Sequence, residues 1–100
     1  MSLLLELDQN GLYCAAGDFY VDPWRPVPRA VITHAHADHL RRGSTRYLVS
    51  DEGLGVSRWR LGGEGQLESV PYGHLVDING VRVSFHPAGH ILGSAQVRVE

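Results

Sequence analysis

A short β-branched run, Arg29-Ala30-Val31-Ile32-Thr33, is followed at once by four side chains of metal-binding type in six positions: His34, His36, Asp38 and His39, spaced by Ala35 and Ala37. This combination constrains the fold more than any other feature. The run has no polar alternation and reads as a strand buried on both faces, so the chain must supply a covering layer on each side of it. Extended backbone places residues i and i+2 on one side. His34 and His36 can therefore aim at one point, while Asp38 and His39 begin the next element and turn away from it. Imidazole and carboxylate suit zinc, manganese or iron, and the alanine spacers leave room for ions. A histidine-rich surface loop explains a lone histidine well, but it explains four ligand types at this density poorly.

The rest of the chain reads as many short strands with few helices. Strands are expected over Leu3–Asp8, Leu12–Cys14, Asp18–Asp22, Arg46–Ser50, Leu67–Tyr72, His74–Ile78, Val81–Phe85 and Ala95–Val99, with tight hairpins at Asn10-Gly11 and Asn79-Gly80. Asp51–Leu61 is the best helix, weakened by Gly53 and Gly55. Residues 86–94 read as a loop. At 100 residues and 43% apolar content the chain is at most one globular domain with a modest core. Its net charge is −2, and all nine cations are arginine, so it lacks the basic balance of a dedicated nucleic-acid-binding module. An active site needs only a local positive field, which bound metal can supply. Cys14 is the only cysteine, which excludes an internal disulfide. The first ten residues lack a basic leader region, and no run reaches the ~18–20 apolar residues of a membrane span. The expectation is a cytoplasmic protein without membrane association.

The segment HAHADH resembles the HxHxDH signature of the metallo-β-lactamase fold hydrolases. The resemblance implies that His34 and His36 bind one metal and that Asp38 and His39 bind a second, with Asp38 and His39 as the catalytic pair. The segment PAGHILGSAQV resembles the third motif of the nucleic-acid-processing branch of that family, in which His90 would complete the first metal site. Asp22 resembles the first-motif aspartate, which orients the metal-binding loop without ligating. The longer run GLYCAAGDFYVDPWRPVPRAVITHAHADH is similar to the ligase-associated DNA exonucleases and mRNA 3′-end-processing exonucleases of bacteria. The fold implied by the resemblance is an α/β protein of α+β type: the N-terminal half of an αββα sandwich, with mostly short strands and one or two helices. The implied cofactors are two divalent metal ions, zinc or else manganese. The implied activity is hydrolysis of DNA or RNA phosphodiesters from an end, in DNA repair or RNA processing. An ATP-dependent DNA ligase is the implied protein partner.

The family's bridging aspartate and its last histidine have no counterpart here, since Asp51 and Asp77 precede His90 and lack the motif context. The chain therefore reads as truncated, with residues 1–100 forming the first half of a domain. One alternative is a catalytically silent fragment binding at most one metal. Another keeps the fold and changes the substrate to a thioester, lactone or lactam. His86 lies opposite Val81, Val83 and Phe85 by strand parity, and a supporting role beside the metal site is expected for it. His74 reads as a surface histidine and Cys14 as a small core residue. Trp24 and Trp59 read as packing residues. Arg41, Arg42 and Arg46 follow the metal loop closely and could contact phosphates there, or form a solvated face.

Overall fold

Two-sided burial of the Arg29–Thr33 run is achieved by three stacked layers. The computed structural model describes residues 5–33, 40–63, 65–87 and 95–100. In chain order its elements are β1 (Glu6–Asp8), β2 (Gly11–Cys14), β3 (Phe19–Val21), β4 (Arg29–Val31), β5 (Arg46–Ser50), a 3-10 turn (Asp51–Gly53), α1 (Leu54–Leu61), β6 (Gln66–Val70), β7 (Val76–Ile78), β8 (Val81–Pro87) and β9 (Ala95–Val99). β1 to β6 form one sheet in sequence order, and β7 to β9 form a second. β1, β2 and β3 pair antiparallel, β3 to β6 pair parallel, and the second sheet is antiparallel throughout. The protein is thus of α+β type, with short strands and one α-helix among the described residues.

β4 shows how the layers arise. Val31 points to one side and joins Cys14, Phe19 and Leu48 of the first sheet against Ile78, Val81, Val83 and Phe85 of the second. Ala30 and Ile32 point the other way and pack with Val27, Leu40, Tyr47, Val49 and Leu61, the last from α1. All three β4-side residues, Ala30, Val31 and Ile32, are buried, as the unbroken apolar run predicts. The second sheet is also tied to the first by a hydrogen bond: the Asn79 amide donates to the Gly17 carbonyl at 2.7 Å.

Local chemistry sets the element ends. Ser50 caps the 3-10 turn by accepting from the Gly53 N–H at 3.2 Å, so the expected 51–61 helix becomes a 3-10 turn followed by α1. Gly62 ends α1 in the left-handed region at φ 61°, its N–H donating to the Arg58 carbonyl. The Asn79-Gly80 hairpin forms as expected, with both residues at positive φ. The first hairpin differs by one residue: Asp8 pairs with Gly11, leaving Gln9 and Asn10 as the turn. The Asp8 carboxylate accepts from the Asn10 N–H at 2.7 Å and fixes that register. β8 runs on through His86 and Pro87, which pair with Gln96 and Ala95, where the sequence reads as loop. Proline is tolerated there because it ends the strand.

Tyr13 of β2 and Tyr20 of β3 are cross-strand partners, their tilted rings 4.6 Å apart between centroids. The Tyr13 hydroxyl donates to Asp18 at 2.7 Å and the Tyr20 hydroxyl to Asp8 at 2.6 Å. These bonds favour neutral phenols, so Tyr13 is pushed up to about 12, chiefly by Asp18, and Asp8 is held low, chiefly by Tyr20. The Tyr13 contribution to stability is full below the ordinary phenol range and is lost as pH rises through the folded value. Tyrosinate absorbance should show Tyr13 ionising above the ordinary phenol range, near pH 12, and Asp18→Asn should return it toward the ordinary value.

Gly65 generates a second prediction. It lies at φ +73°, and a Cβ there would stand 2.9 Å from both the Ser44 carbonyl and the Tyr47 ring. Gly63 is also at positive φ but has open space around it. In urea unfolding of the full-length protein, Gly63→Ala should cost about 1 kcal/mol from backbone strain alone. Gly65→Ala should cost more, about 2–4 kcal/mol, because overpacking adds to the strain.

Candidate functional site

β4 has parallel neighbours on both sides, β3 and β5, and Thr33, the last described residue before position 34, lies beyond its carboxyl end. This is the edge where open parallel sheets place their ligands. His34, His36, Asp38, His39 and His90 lie outside the described residues. Among the described residues no group of three or more His, Cys, Asp and Glu side chains could hold a metal. The structure therefore describes what holds the flanks of these segments.

On the leading side, Asp22 follows β3 at the same edge of the sheet. Its backbone N–H donates to the Val31 carbonyl at 2.9 Å. Its Oδ1 accepts from the Thr33 N–H at 2.8 Å, and its Oδ2 accepts from the Thr33 hydroxyl at 2.6 Å. Both hydrogen-bond donors of the residue before His34 are thus held by one carboxylate. Asp22 makes this reach from left-handed backbone at φ 47°, a conformation that Asp and Asn tolerate better than other residues with a Cβ.

On the trailing side the key residue is Tyr47, which sequence reasoning passes over. It is buried in β5, and a buried tyrosine hydroxyl needs partners. It donates to the Arg41 carbonyl at 2.6 Å and accepts from the Ser44 N–H at 2.9 Å. Ser44 Oγ in turn accepts from the Val27 N–H at 3.1 Å, and Leu40 is buried in the same cluster. The sequence signal was available: an aromatic hydroxyl beside Leu48 and Val49 in a strand run.

His86 lies on the face of β8 opposite Val83 and Phe85. It is half-buried, and its Nε2 stands 2.9 Å from the Ser84 hydroxyl. It sits at the end of the strand that leads toward residue 90. Arg41 approaches the Trp24 carbonyl at 3.5 Å, and Arg42 Nε donates to the Arg60 carbonyl at 3.1 Å, at the C-terminal end of α1. Arg46 does not belong with them. It pairs with Arg29 at the amino end of the parallel strands, the edge of the sheet opposite Thr33. His74 is exposed and Cys14 is buried in the inter-sheet core. The Asp77 carboxylate accepts from the Gly80 N–H at 2.8 Å and so belongs to its hairpin. Trp59 is not a packing residue: it is 79% exposed, because Ser57 and Leu61 take the buried stripe of α1. Trp59 lies about 200° around the helix from Ser57. Trp24 is 45% exposed, with its indole N–H donating to the Gln9 carbonyl at 2.9 Å. No helix among the described residues is long and apolar enough to cross a membrane.

Asp22→Asn tests the leading clamp, since Asn also tolerates the left-handed backbone but offers Thr33 one acceptor oxygen instead of two. Calorimetric zinc titration of the full-length protein should show affinity weakened by about 10–100-fold, the range for a group that positions a ligand. Unchanged zinc affinity with a lowered thermal midpoint would mean that Asp22 braces the fold alone.

No protein-family model matches the chain. Among curated proteins, it is 36% identical over 69 residues, or 69% of its own length, to Endoribonuclease YSH1 of Eremothecium gossypii. The chain spans 8% of the length of that relative.

Proposed function

We propose that the full-length protein carrying this segment hydrolyses nucleic-acid phosphodiester bonds, using divalent cations held by His34, His36, Asp38, His39 and His90. The observation that carries this reading is the fastening of both flanks of residues 34–39, the leading one at the carboxyl edge of the parallel sheet and the trailing one where the chain enters β5. Asp22 grips Thr33 on one side, and Tyr47 grips Arg41 and Ser44 on the other. Ligands that must converge on ions gain from flanks with little freedom to move. The donor set, three imidazoles and a carboxylate on one segment with a further imidazole on another, fits zinc and accepts manganese. Such cations, when bound, supply an activated water and offset the charge growing on a phosphoryl oxygen. The chain's own part is to orient them: Asp22 holds the approach to His34, and β8 with its Ser84–His86 pair carries the chain toward His90.

Likeness to a protein named an endoribonuclease supports nucleic acid as the substrate class, with RNA included. The flanking run favours attack from an end, on DNA or RNA, and an ATP-dependent DNA ligase as a working partner. Full-length protein supplied with zinc or manganese should be assayed on single-stranded DNA, on RNA and on a thioester. Nucleic acid should be cut, and His36→Ala should lose at least about 100-fold in rate, more than an outer partner of a ligand would cost. Equal activity in His36→Ala would overturn the metal assignment. Thioester turnover without nucleic-acid cleavage would overturn the substrate class.

A further inference from the structure

A cationic groove among the described residues joins the segment that follows the proposed metal loop in the chain to the C-terminal end of α1. Leu40 follows His39 in the chain, and a groove of about 540 Å³ is lined by Leu40, Arg41, Arg42, Trp59 and Arg60. That volume is in the range of sites for small-molecule-sized groups, enough for the base and sugar of a nucleotide. Its chemistry is specific. Arg41, Arg42 and Arg60 bring three guanidinium groups to one groove, and Trp59 offers a ring that is 79% exposed. Trp24, 45% exposed, is linked to the groove only through its carbonyl, which Arg41 approaches. Arginine at the end of α1 has an ordinary explanation, because cations there complement the helix dipole. That explanation does not reach Trp59, whose exposure costs apolar surface in water without any return to the fold. Arg42 is held in place, since one of the five N–H donors of its guanidinium is bonded to the Arg60 carbonyl.

We propose that this groove is a docking track for single-stranded nucleic acid, with Trp59 stacking on a base and Arg41, Arg42 and Arg60 facing the phosphates. Alternating aromatic faces and cations are what sequence-tolerant single-strand binding uses. The occupant is anionic and planar by the chemistry of the lining; a double helix, whose bases are already stacked, would leave Trp59 unused. The proposal rests on the reading of the protein as a nucleic-acid hydrolase and assigns where a part of the strand away from the cut is held.

The test uses full-length protein with a fluorescently labelled single strand of about a dozen nucleotides, the size that one such surface covers. Binding is measured in chelator, so it does not depend on cleavage. Trp59→Ala should weaken binding by about 5–100-fold, the range for losing one stacked base. Arg41→Gln should weaken it less and should reduce the salt dependence by about 0.7 in log–log slope, the value for one phosphate contact on a single strand. With metal restored, Trp59→Ala should raise KM for long strands and leave kcat, and the cleavage of dinucleotides, unchanged. The proposal falls if Trp59→Ala and Arg41→Gln bind and cut like the parent protein. It also falls if the part of the tryptophan fluorescence that Trp59→Phe removes is not quenched by acrylamide in the parent protein, because the rest of the protein would then cover the ring. Absence of any cleavage by the parent protein, with Trp59-dependent binding intact, would instead remove the hydrolase reading and leave the track standing.

Discussion

Everything in this structure depends on burying both faces of one short parallel strand. β4 sends Val31 into the interface between the two sheets and Ala30 and Ile32 into the layer beneath α1. Neither face alone could hold it, since a strand of this length offers few side chains and parallel pairing leaves both faces in need of cover. The antiparallel second sheet covers one face, and α1 with the 40–45 segment covers the other. The aromatic residues sit where these demands are greatest: Phe19 and Phe85 are fully buried between the sheets, and Tyr47 is buried on the helix side. Removing either phenylalanine would leave a cavity costing about 3–5 kcal/mol, a large share of the stability of a domain this size.

Rigidity of β4 then passes to the chain on either side of residues 34–39. The two clamps use different chemistry for the same purpose. Asp22 satisfies an N–H and a hydroxyl with one carboxylate, which requires left-handed backbone at Asp22 itself. Tyr47 works from inside the core, where its ring is fixed by packing and its hydroxyl reaches out to backbone. The tight approach of Gly65 to the Tyr47 ring shows how closely this corner is built. Among the described residues, no buried side-chain polar atom is left without a hydrogen-bond partner, which is what a scaffold for precise positioning requires.

Net charge conceals the second organising feature. A formal charge of −2 describes no particular surface. The end of α1 nevertheless carries Arg58 and Arg60 with no acidic residue in its first turn, and Arg42 is drawn onto its last carbonyls. The 40–45 segment must lie along α1 because Leu40 is buried beside Leu61. Packing that completes the core on this side therefore gathers arginines from two separate parts of the chain and leaves Trp59 facing water. Arg46, only a few residues further along the chain, alternates with Tyr47 along β5 and so lies on the second-sheet side, with Arg29, Asp77 and Ile78.

Local sequence determined a good deal of this protein. Unbroken β-branched character marked β4 as doubly buried, Asn79-Gly80 set its hairpin, and strand parity set which side of β8 faces the core. These features depend on backbone chemistry and on periods of two residues, so they can be read without knowing what lies nearby. Density of ligand-type side chains after β4 likewise marked the candidate metal loop. Tertiary structure decided what depends on distant partners. It moved the first turn by one residue through Asp8, drew His86 and Pro87 into β8 through pairing with β9, and gave Tyr47 its clamp. It also separated Arg46 from Arg41 and Arg42, and exposed Trp59. Each of those outcomes is set by which elements share a face or an edge, and spacing along a single chain does not encode that.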